Sequence, residues 1–472
     1  MITTPIPHKH AALVAALAAA FAGLSRAQNT LHWDGGSNGT NANWSTPASW
    51  NPNLADASEI NGSDLVIATR NGTAPFPTSF LTGGDYTIRS ITFDNAAGKF
   101  GSLHNVQNST ASSGAVDRVL TFATSGIDII TTSNFSSATT IRFRPFGTVT
   151  ETGDDATFEI ALNYSGYSAI NAGANTKIEF ESPLTGTGGI TKTGSGTVYL
   201  NPGSTNTFSG GVVIAEGTLQ VGRTGSLGTG AVQLGVAGGG DASLLSQRAG
   251  WNYSNDITVV SGAIGTLKIG NSSGTGNFNT TYSGAITVNG NLEVVSESAA
   301  TFALRFTGVL SGTGDITKTG TSEWRVINPN NSWTGNLHVS EGSFTLEEEA
   351  SLRFALGDEG ATNSVSGAGV ANFNGVFVID SSGVGDDVGA WQLVEVDTLS
   401  ATFGSSFTLR LLGEEATFAN VGGGLFEFGN WSFDTTNGLL SLSAAPIPEP
   451  SALAALAGLG ALGLASLRRR RG

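Results

Sequence analysis

The stretch that decides the fold occurs twice in the chain. Residues 176–227 read TKIEFESPLTGTGGITKTGSGTVYLNPGSTNTFSGGVVIAEGTLQVGRTGSL, and residues 302–352 read FALRFTGVLSGTGDITKTGTSEWRVINPNNSWTGNLHVSEGSFTLEEEASL. Both copies contain GTG followed by ITKTG, and both continue with an asparagine, an aromatic residue and a Glu-Gly pair in the same order. An internal repeat of this length is typical of solenoid folds, in which each copy forms one structural unit.

Each copy consists of short β-rich runs separated by glycine turns. In the first copy, VVI at 212–214 and TLQV at 218–221 flank a corner at Gly217, where glycine permits a positive φ. Strands this short bury few side chains, so a single copy is unstable until neighbouring coils pair with it from both sides. We therefore predict an all-β parallel solenoid with Phe208, Ile214 and Leu219 pointing inward.

These two copies resemble the autotransporter-associated β-strand repeat, whose usual form is close to GLTKTGSGTLTLSG…TYTGGTTVNAGTLQVG. The first copy fits this pattern, whereas the second has Glu323-Trp324-Arg325 where Thr-Leu-Thr is expected. The resemblance implies a right-handed parallel β-helix carried by a secreted or surface-displayed protein.

The regions on either side of the repeats extend the β pattern. Short β-runs spaced by Ser and Thr turns recur before the first copy, and denser, longer runs occupy 364–443. We predict five segments: a signal peptide (1–27), a β-rich region that begins the solenoid (28–175), the β-helix with its repeats (176–362), a C-terminal β-module (363–445) and a sorting tail with a single transmembrane helix (446–472).

A tryptophan- and asparagine-rich segment, LHWDGGSNGTNANWSTPASWN at 31–51, precedes these runs. It resembles the opening of other proteins built from this repeat. Trp33, Trp44 and Trp50 are interpreted as a cap over the exposed edge of the first coil. The alternative is a glycan-binding platform, because indole faces stack on sugar rings.

Both ends of the sequence carry targeting patterns. Residues 1–27 combine a weakly basic start, an apolar stretch at 11–24 and a small-x-small site at 25–27, which predicts a secretory signal peptide. At the other end, PIPEPSALAALAGLGALGLASLRRRRG (446–472) places an apolar stretch between Pro-Glu-Pro-Ser and four arginines. The apolar stretch is near the lower limit of about 17 residues for a membrane span, and the arginines predict a cytoplasmic end.

This tail resembles the PEP-CTERM sorting signal of Gram-negative bacteria. The resemblance implies that an exosortase, an integral-membrane cysteine protease, recognises Pro448, Glu449, Pro450 and Ser451. It also implies that the helix is a transient anchor and that Arg468, Arg469, Arg470 and Arg471 stop transfer. An ordinary single-span tail anchor and a terminal core helix are the alternatives. The implied partners are the Sec export machinery, the exosortase and the membrane, with exopolysaccharide as a further candidate.

Composition restricts the function classes. The formal net charge of −15 opposes binding to nucleic acid phosphates. Cysteine is absent, which excludes disulfides and thiolate metal sites. We expect no cofactor.

Catalytic and metal patterns are weak. His32, His104 and His338 have no partner at metal-ligand spacing. Acidic pairs such as Asp154-Asp155 and Glu414-Glu415 are interpreted as solvated turns, since neighbouring side chains on a strand point to opposite faces.

The function predicted from these patterns is a non-enzymatic, exported protein. It passes through an intermediate tethered to the inner membrane and ends in the outer envelope, at the cell surface or in the extracellular matrix. The tail resemblance implies a structural role in an exopolysaccharide or biofilm matrix. A polysaccharide-degrading β-helix enzyme and a glycan-binding adhesin are the alternatives, since one fold hosts several functions.

Overall fold

The structure is a computed structural model. It describes residues 30–33, 44–46, 50–51, 57–68, 78–80, 85–94, 103–107, 118–122, 128–131, 138–144, 158–162, 167–247, 250–272, 279–297, 302–358, 360–361, 363–385 and 388–444. The predicted signal peptide, the sorting motif at 448–451, the terminal arginines and the C-terminal helix lie outside these residues. Within the described part of the chain, no helix is long and apolar enough to cross a membrane.

The chain divides into two units, Met1–Gly274 and Thr275–Gly472, and both are built from short strands. The first unit also has a 3-10 helix at Ala57–Ile60. Its strands are β1 (Thr30–Trp33), β2 (Trp50–Asn51), β3 (Asp64–Ala68), β4 (Thr78–Phe80), β5 (Tyr86–Ile88), β6 (Ser90–Asp94), β7 (Leu103–Gln107), β8 (Arg118–Phe122), β9 (Asp128–Thr131), β10 (Thr139–Arg144), β11 (Phe158–Leu162), β12 (Tyr167–Asn171), β13 (Thr176–Phe180), β14 (Leu184–Gly186), β15 (Gly189–Thr193), β16 (Thr197–Leu200), β17 (Val212–Ile214), β18 (Gly217–Val221), β19 (Val232–Leu234), β20 (Ala242–Ser246), β21 (Asn252–Tyr253), β22 (Ile257–Val259) and β23 (Leu267–Asn271).

The second unit continues the series. Its strands are β24 (Thr280–Tyr282), β25 (Ile286–Val288), β26 (Leu292–Ser296), β27 (Ala303–Phe306), β28 (Leu310–Gly312), β29 (Ile316–Thr319), β30 (Glu323–Val326), β31 (Leu337–Val339), β32 (Ser343–Leu346), β33 (Ser351–Gly357), β34 (Gly360–Ala361), β35 (Val365–Gly367), β36 (Val370–Phe373), β37 (Val376–Gly383), β38 (Gly389–Gln392), β39 (Ser400–Phe403), β40 (Thr408–Leu411), β41 (Ala419–Gly422), β42 (Leu425–Phe428), β43 (Trp431–Asp434) and β44 (Leu439–Leu442).

Three sheets contain most strands of the first unit. Sheet A runs β2-β1-β3-β6-β9-β12-β15-β17-β19-β22, sheet B runs β4-β7-β10-β13-β16-β18-β20-β23, and sheet C runs β5-β8-β11-β14. From β3 to β14, each coil gives one strand to each sheet, and equivalent strands of successive coils pair in parallel. After β16 each coil contributes a strand to sheets A and B, as in β17 and β18.

Alternation along these strands builds a continuous core. In sheet B, Ile141, Ile178, Val198 and Leu219 occupy one register column, and all four side chains are fully buried. Each short strand therefore buries its apolar side chains against equivalent positions in the coils before and after it. The inward positions predicted for Phe208, Ile214 and Leu219 are confirmed, because all three are 0% exposed.

The second unit contains parallel and antiparallel sheets. Sheet D runs β24-β27-β30-β32-β36-β39, sheet E runs β34-β33-β37-β40, and a further ladder runs β26-β29-β31-β35. Parallel pairing continues beyond residue 363, because β36 pairs with β32 and β37 pairs with β33. The predicted boundary at 363 therefore falls within a run of parallel pairing.

Sheet F (β38-β44-β43-β42-β41) is antiparallel and follows this run. Its buried Phe433 lies 6.0 Å from Phe377 of sheet E and 5.8 Å from Phe403 of sheet D, measured between ring centroids. Phe407 lies 5.4 Å from Phe426 of sheet F in an edge-to-face arrangement. Aromatic packing of this kind is favourable beyond its buried area, so sheet F acts as a lid on the last coils.

The structure confirms the all-β class and the stacking of short parallel strands. The right-handed sense of the coil stays a prediction.

The aromatic cluster under sheet F gives a test of the lid. Replacing the fully buried Phe377 by alanine should lower the free energy of unfolding by about 3–5 kcal/mol, because a large cavity opens among its ring neighbours. Val421→Ala, at a side chain that is 53% exposed, is the matched control and should change stability by less than about 0.5 kcal/mol. Urea denaturation followed by tryptophan fluorescence measures both variants. Equal losses of stability in the two variants would contradict the packing of sheet F on the last coils.

Candidate functional site

The two repeat copies fold into the same succession of strands. The first copy supplies β13 to β18, and the second supplies β27 to β32. The ITKTG segments form β15 and β29. The Glu-Gly pairs lie at the corners of the following coils, with Gly217 as the first residue of β18 and Gly342 directly before β32. The repeat therefore encodes two neighbouring coils and the corner within each of them, where β15 is followed by β16 and β17 by β18.

A buried lysine occupies this corner in the first copy. Lys192 is 0% exposed and lies in an inward column of sheet A between Ile170 and Ile214. Its Nζ atom donates hydrogen bonds to backbone oxygens of two consecutive coils: Thr193 (2.8 Å), Gly194 (2.5 Å) and Glu216 (2.9 Å). The ammonium group thus donates to carbonyl oxygens at the turns of two coils, of which that of Thr193 also accepts from the backbone N–H of Ala172 (3.2 Å).

The second copy reproduces this geometry. Lys318 is also 0% exposed, and its register neighbours are Val294 and Val339. Its Nζ atom donates to the backbone oxygens of Thr319 (2.8 Å), Gly320 (2.7 Å) and Glu341 (3.1 Å). We call this arrangement the lysine clip.

Glycine leaves the space that the clip needs. Gly217 adopts φ +73, and a Cβ atom there would lie 2.7 Å from Nζ of Lys192 and 2.3 Å from the backbone oxygen of Gly194. Gly342 takes the same place with φ +64. Any larger residue would therefore clash with the corner, which explains the Glu-Gly pair in both copies.

The surroundings of each clip lower the pKa of its lysine. Burial lowers the pKa of Lys192 to about 8, because the interior disfavours the ammonium form, and the Glu216 carboxylate only partly opposes this. Burial likewise lowers the pKa of Lys318 to about 8, against the opposing charges of Glu341 and Glu297.

A buried asparagine ties three coils together in each copy. The Oδ1 atom of Asn206 accepts from the backbone N–H of Leu184 (2.8 Å), and its Nδ2 atom donates to the backbone oxygen of Ser226 (2.6 Å). Asn331 bridges Leu310 (2.8 Å) and Ser351 (3.0 Å) in the same way. These amides satisfy backbone groups where the coil has no strand on its third side.

The lysine clip was not among the residues singled out from the sequence, although a signal for it was present. Alternation along ITKT places Lys192 on the same face as Ile190, and Lys318 on the same face as Ile316. Lysine in a short polar run is normally solvated, so residue type alone does not point to a buried side chain here.

The tryptophans near the start are buried. Trp33, Trp44 and Trp50 are 3%, 0% and 0% exposed. Trp50 lies on β2, which pairs antiparallel with β1 at the end of sheet A, and its Nε1 donates to the backbone oxygen of Trp44 (2.9 Å). Trp44 also packs 5.8 Å from the ring of Tyr86. Rings buried in this way favour the cap interpretation, because a sugar platform requires an accessible indole face.

Histidines and carboxylates do not converge on a metal site. Among the described residues, no group of three or more His, Asp and Glu side chains could hold a metal ion. His32 and His338 are exposed, and Nδ1 of His338 lies 3.2 Å from the hydroxyl of Ser366.

Two clusters of paired charges lie on outward faces. On sheet D, Arg325 lies between Glu323 and Glu347, with N···O distances of 2.7 and 2.8 Å. Burial lowers the pKa of Arg325, but the hydrogen bonds and charges of the two glutamates outweigh it and raise the pKa. Thr345 donates to the second oxygen of Glu323 at 2.5 Å, so both oxygens of that carboxylate are engaged.

The second cluster lies on sheet B. Arg142 pairs with Glu179 and Glu181, both at 3.1 Å, and Arg144 pairs with Glu181 at 3.3 Å. Lys177 lies 4.2 Å from the ring centroid of Tyr199. In both clusters, carboxylates and cations on neighbouring coils compensate one another.

Comparison with known proteins supports the repeat analysis. The Passenger-associated-transport-repeat family model matches residues 190–221 and 316–346. These ranges run from the clip lysine's strand to the strand after the Glu-Gly corner in each copy. The prediction of autotransporter-associated repeats is confirmed.

One curated protein with a significant match is the adhesin BmaC autotransporter of Brucella suis biovar 1 (strain 1330). It is 26% identical over 228 residues, which cover 46% of this chain and 6% of the adhesin. The chain therefore matches only a small part of that relative's length. No solved structure matches the chain.

The lowered lysine pKa values give a pH-dependent prediction. Between pH about 8 and the ordinary value of 10.5, the unfolded chain holds protons that the folded clips have released, so the free energy of unfolding rises with pH. Below pH about 8 the lysines are protonated in both states, so they no longer make the free energy of unfolding depend on pH. Lys192→Met should cost about 1–3 kcal/mol at pH 7, because buried carbonyl oxygens lose their donor.

The difference in stability between the natural chain and Lys192→Met should therefore widen from pH 7 to pH 10. Chemical denaturation at both pH values measures it, and Lys268→Met, at a half-buried lysine on the outward side of sheet B, serves as the control. A constant or narrowing difference would contradict the buried, charged clip.

Proposed function

We propose that this protein is an exported, non-enzymatic surface protein with an adhesin-like body. The observation that carries the proposal is the repeat itself. Each matched segment folds into two neighbouring coils joined by a lysine clip. A longer part of the chain is similar to part of an autotransporter adhesin. The solenoid acts as a stable, elongating support, since each coil adds length by stacking on the previous one.

The state of the carboxylates supports a role without catalysis. A general acid or base needs an oxygen that can reach a substrate proton. Both oxygens of Glu323 accept hydrogen bonds from Arg325 and Thr345, and Glu347 accepts one from Arg325. These groups stabilise the face of sheet D.

The route of export follows from the two ends of the sequence. In this proposal, the Sec machinery translocates the chain through the segment at 1–27. The tail at 446–472 then holds an inner-membrane intermediate until an exosortase acts at Pro448-Glu449-Pro450-Ser451. The product is delivered to the outer envelope, the cell surface or the extracellular matrix, where a biofilm or exopolysaccharide matrix is the proposed setting.

A polysaccharide-degrading enzyme is the second candidate. The observation in its favour is that two carboxylates converge beside an arginine on one outward solenoid face, at Glu323, Arg325 and Glu347. Carboxylate pairs of this kind hydrolyse glycosidic bonds when one can donate a proton and the other can attack or activate water.

Processing of the tail is tested by mass spectrometry of the protein released to the cell surface. The expected C-terminus lies near Pro450, and replacing Glu449 by alanine should leave the tail attached. A Glu427→Ala variant, changed at an exposed carboxylate in β42, controls for the loss of one acid. Recovery of protein that still ends with Arg471 and Gly472 from the surface fraction would refute the sorting proposal.

The choice between support and enzyme is tested by turnover. A panel of neutral and acidic polysaccharides is incubated with the purified protein, and the formation of reducing ends or unsaturated products is followed. We expect none. Turnover that is lost in both Glu323→Gln and Glu347→Gln would establish the enzyme instead.

A further inference from the structure

One outward column of sheet D consists of polar side chains. Successive coils place one side chain each in this column, and all of them are polar. They are Thr281, Arg305, Arg325, Thr345, Asn372 and Thr402. We call this set the polar column. Neighbouring strands lie about 4.8 Å apart, so the column presents a polar group at each step of that length.

The later part of the polar column is joined by hydrogen bonds. Asn372 donates to the hydroxyl of Thr345 (3.3 Å) and accepts from the hydroxyl of Thr402 (2.7 Å). Thr345 in turn donates to Glu323, which pairs with Arg325. These bonds fix the orientation of donors and acceptors on the face before any ligand arrives.

Arg305 is the exception in this ordered column. It is half-buried, and its Nε atom is shielded from solvent without a hydrogen-bond partner. No carboxylate of the described residues forms an ion pair with it. It stands directly opposite Arg325 on the next strand, and like charges in this position repel each other. Arg325 pairs with Glu323 and Glu347, and neither of these carboxylates forms an ion pair with Arg305.

Other outward arginines of the second unit do have partners. Arg353 pairs with the carboxylate of Asp380, and Arg410 donates to the backbone oxygen of Glu414 (3.5 Å). The chain as a whole carries a formal net charge of −15. An anionic ligand is therefore repelled by most of the surface and attracted locally at Arg305.

We propose that the polar column binds a polysaccharide that bears carboxylate groups. Arg305 takes a carboxylate in a bidentate contact, while Asn372 and Thr402 bind sugar hydroxyls. This rests on the surface role proposed above. The linear spacing, comparable with the length of one hexose, suits a chain of sugars lying along the column. A protein partner is disfavoured, because the column offers none of the large apolar anchors on which protein interfaces depend.

The proposal is tested by binding of the purified full-length protein to polygalacturonate, its fully methyl-esterified form and dextran, using isothermal titration calorimetry. Polygalacturonate should bind, and esterification, which removes the carboxylate charge, should weaken binding about tenfold or more. Arg305→Ala should cause a similar loss. Arg305→Lys should lose less, because it keeps the charge but not the fork geometry. Raised salt should weaken the natural protein more than Arg305→Ala.

Arg410→Ala removes an arginine from the outward side of sheet E and is the matched control, with unchanged affinity expected. Thr402→Val tests the hydroxyl contacts at an exposed, nearly isosteric position and should weaken all polygalacturonate binding several-fold. Thermal unfolding of each variant verifies the fold.

Absence of polygalacturonate binding, equal affinity for dextran, or full affinity in Arg305→Ala would each overturn the inference. Protease shaving of intact cells measures surface display separately. A displayed protein that does not bind polygalacturonate refutes the polar column alone, whereas a protein that is never displayed refutes the surface role.

Discussion

The structure depends on backbone pairing between coils. Most strands are three to five residues long, and such a strand has little to stabilise it within its own coil. Its N–H and C=O groups are satisfied by the coil before and the coil after, and its apolar side chains stack in register columns such as Ile141 to Leu219. Where this pairing is interrupted, the backbone N–H and C=O groups must find other hydrogen-bond partners. These interruptions lie at the corners of the coils.

The lysine clip is the clearest of these deviations. An ammonium group replaces an isoleucine or valine in an apolar column, which costs desolvation and lowers its pKa to about 8. In return, carbonyl oxygens of two coils gain a charged donor at the turns where the strands end. The buried amides of Asn206 and Asn331 serve the side of the coil without a strand. The clip thus fixes a corner that glycine alone would leave loose.

Much of the fold followed from sequence pattern, and less of the site did. The repeat, the short β-runs and the inward positions of Ile214 and Leu219 were predictable from alternation and glycine spacing. The clip was not, because residue type argued for an exposed lysine while alternation argued for a buried one. The unpaired Arg305 could not be predicted, since its isolation depends on which coils become neighbours. The packing of sheet F was likewise not predictable, because it depends on long-range aromatic contacts that local sequence pattern does not encode.

The bonds of the clip have a consequence for how such a chain lengthens in evolution. Lys192 and its acceptors Thr193, Gly194 and Glu216 all fall inside residues 190–221, and the corresponding set around Lys318 falls inside 316–346. A gene duplication of this segment therefore copies the donor together with its acceptors. Asn206 bonds outside that segment, to Leu184 and Ser226, but both partners lie within the longer copy at 176–227. Duplication of the short segment therefore carries a complete clip, whereas a complete asparagine bridge requires duplication of the longer copy.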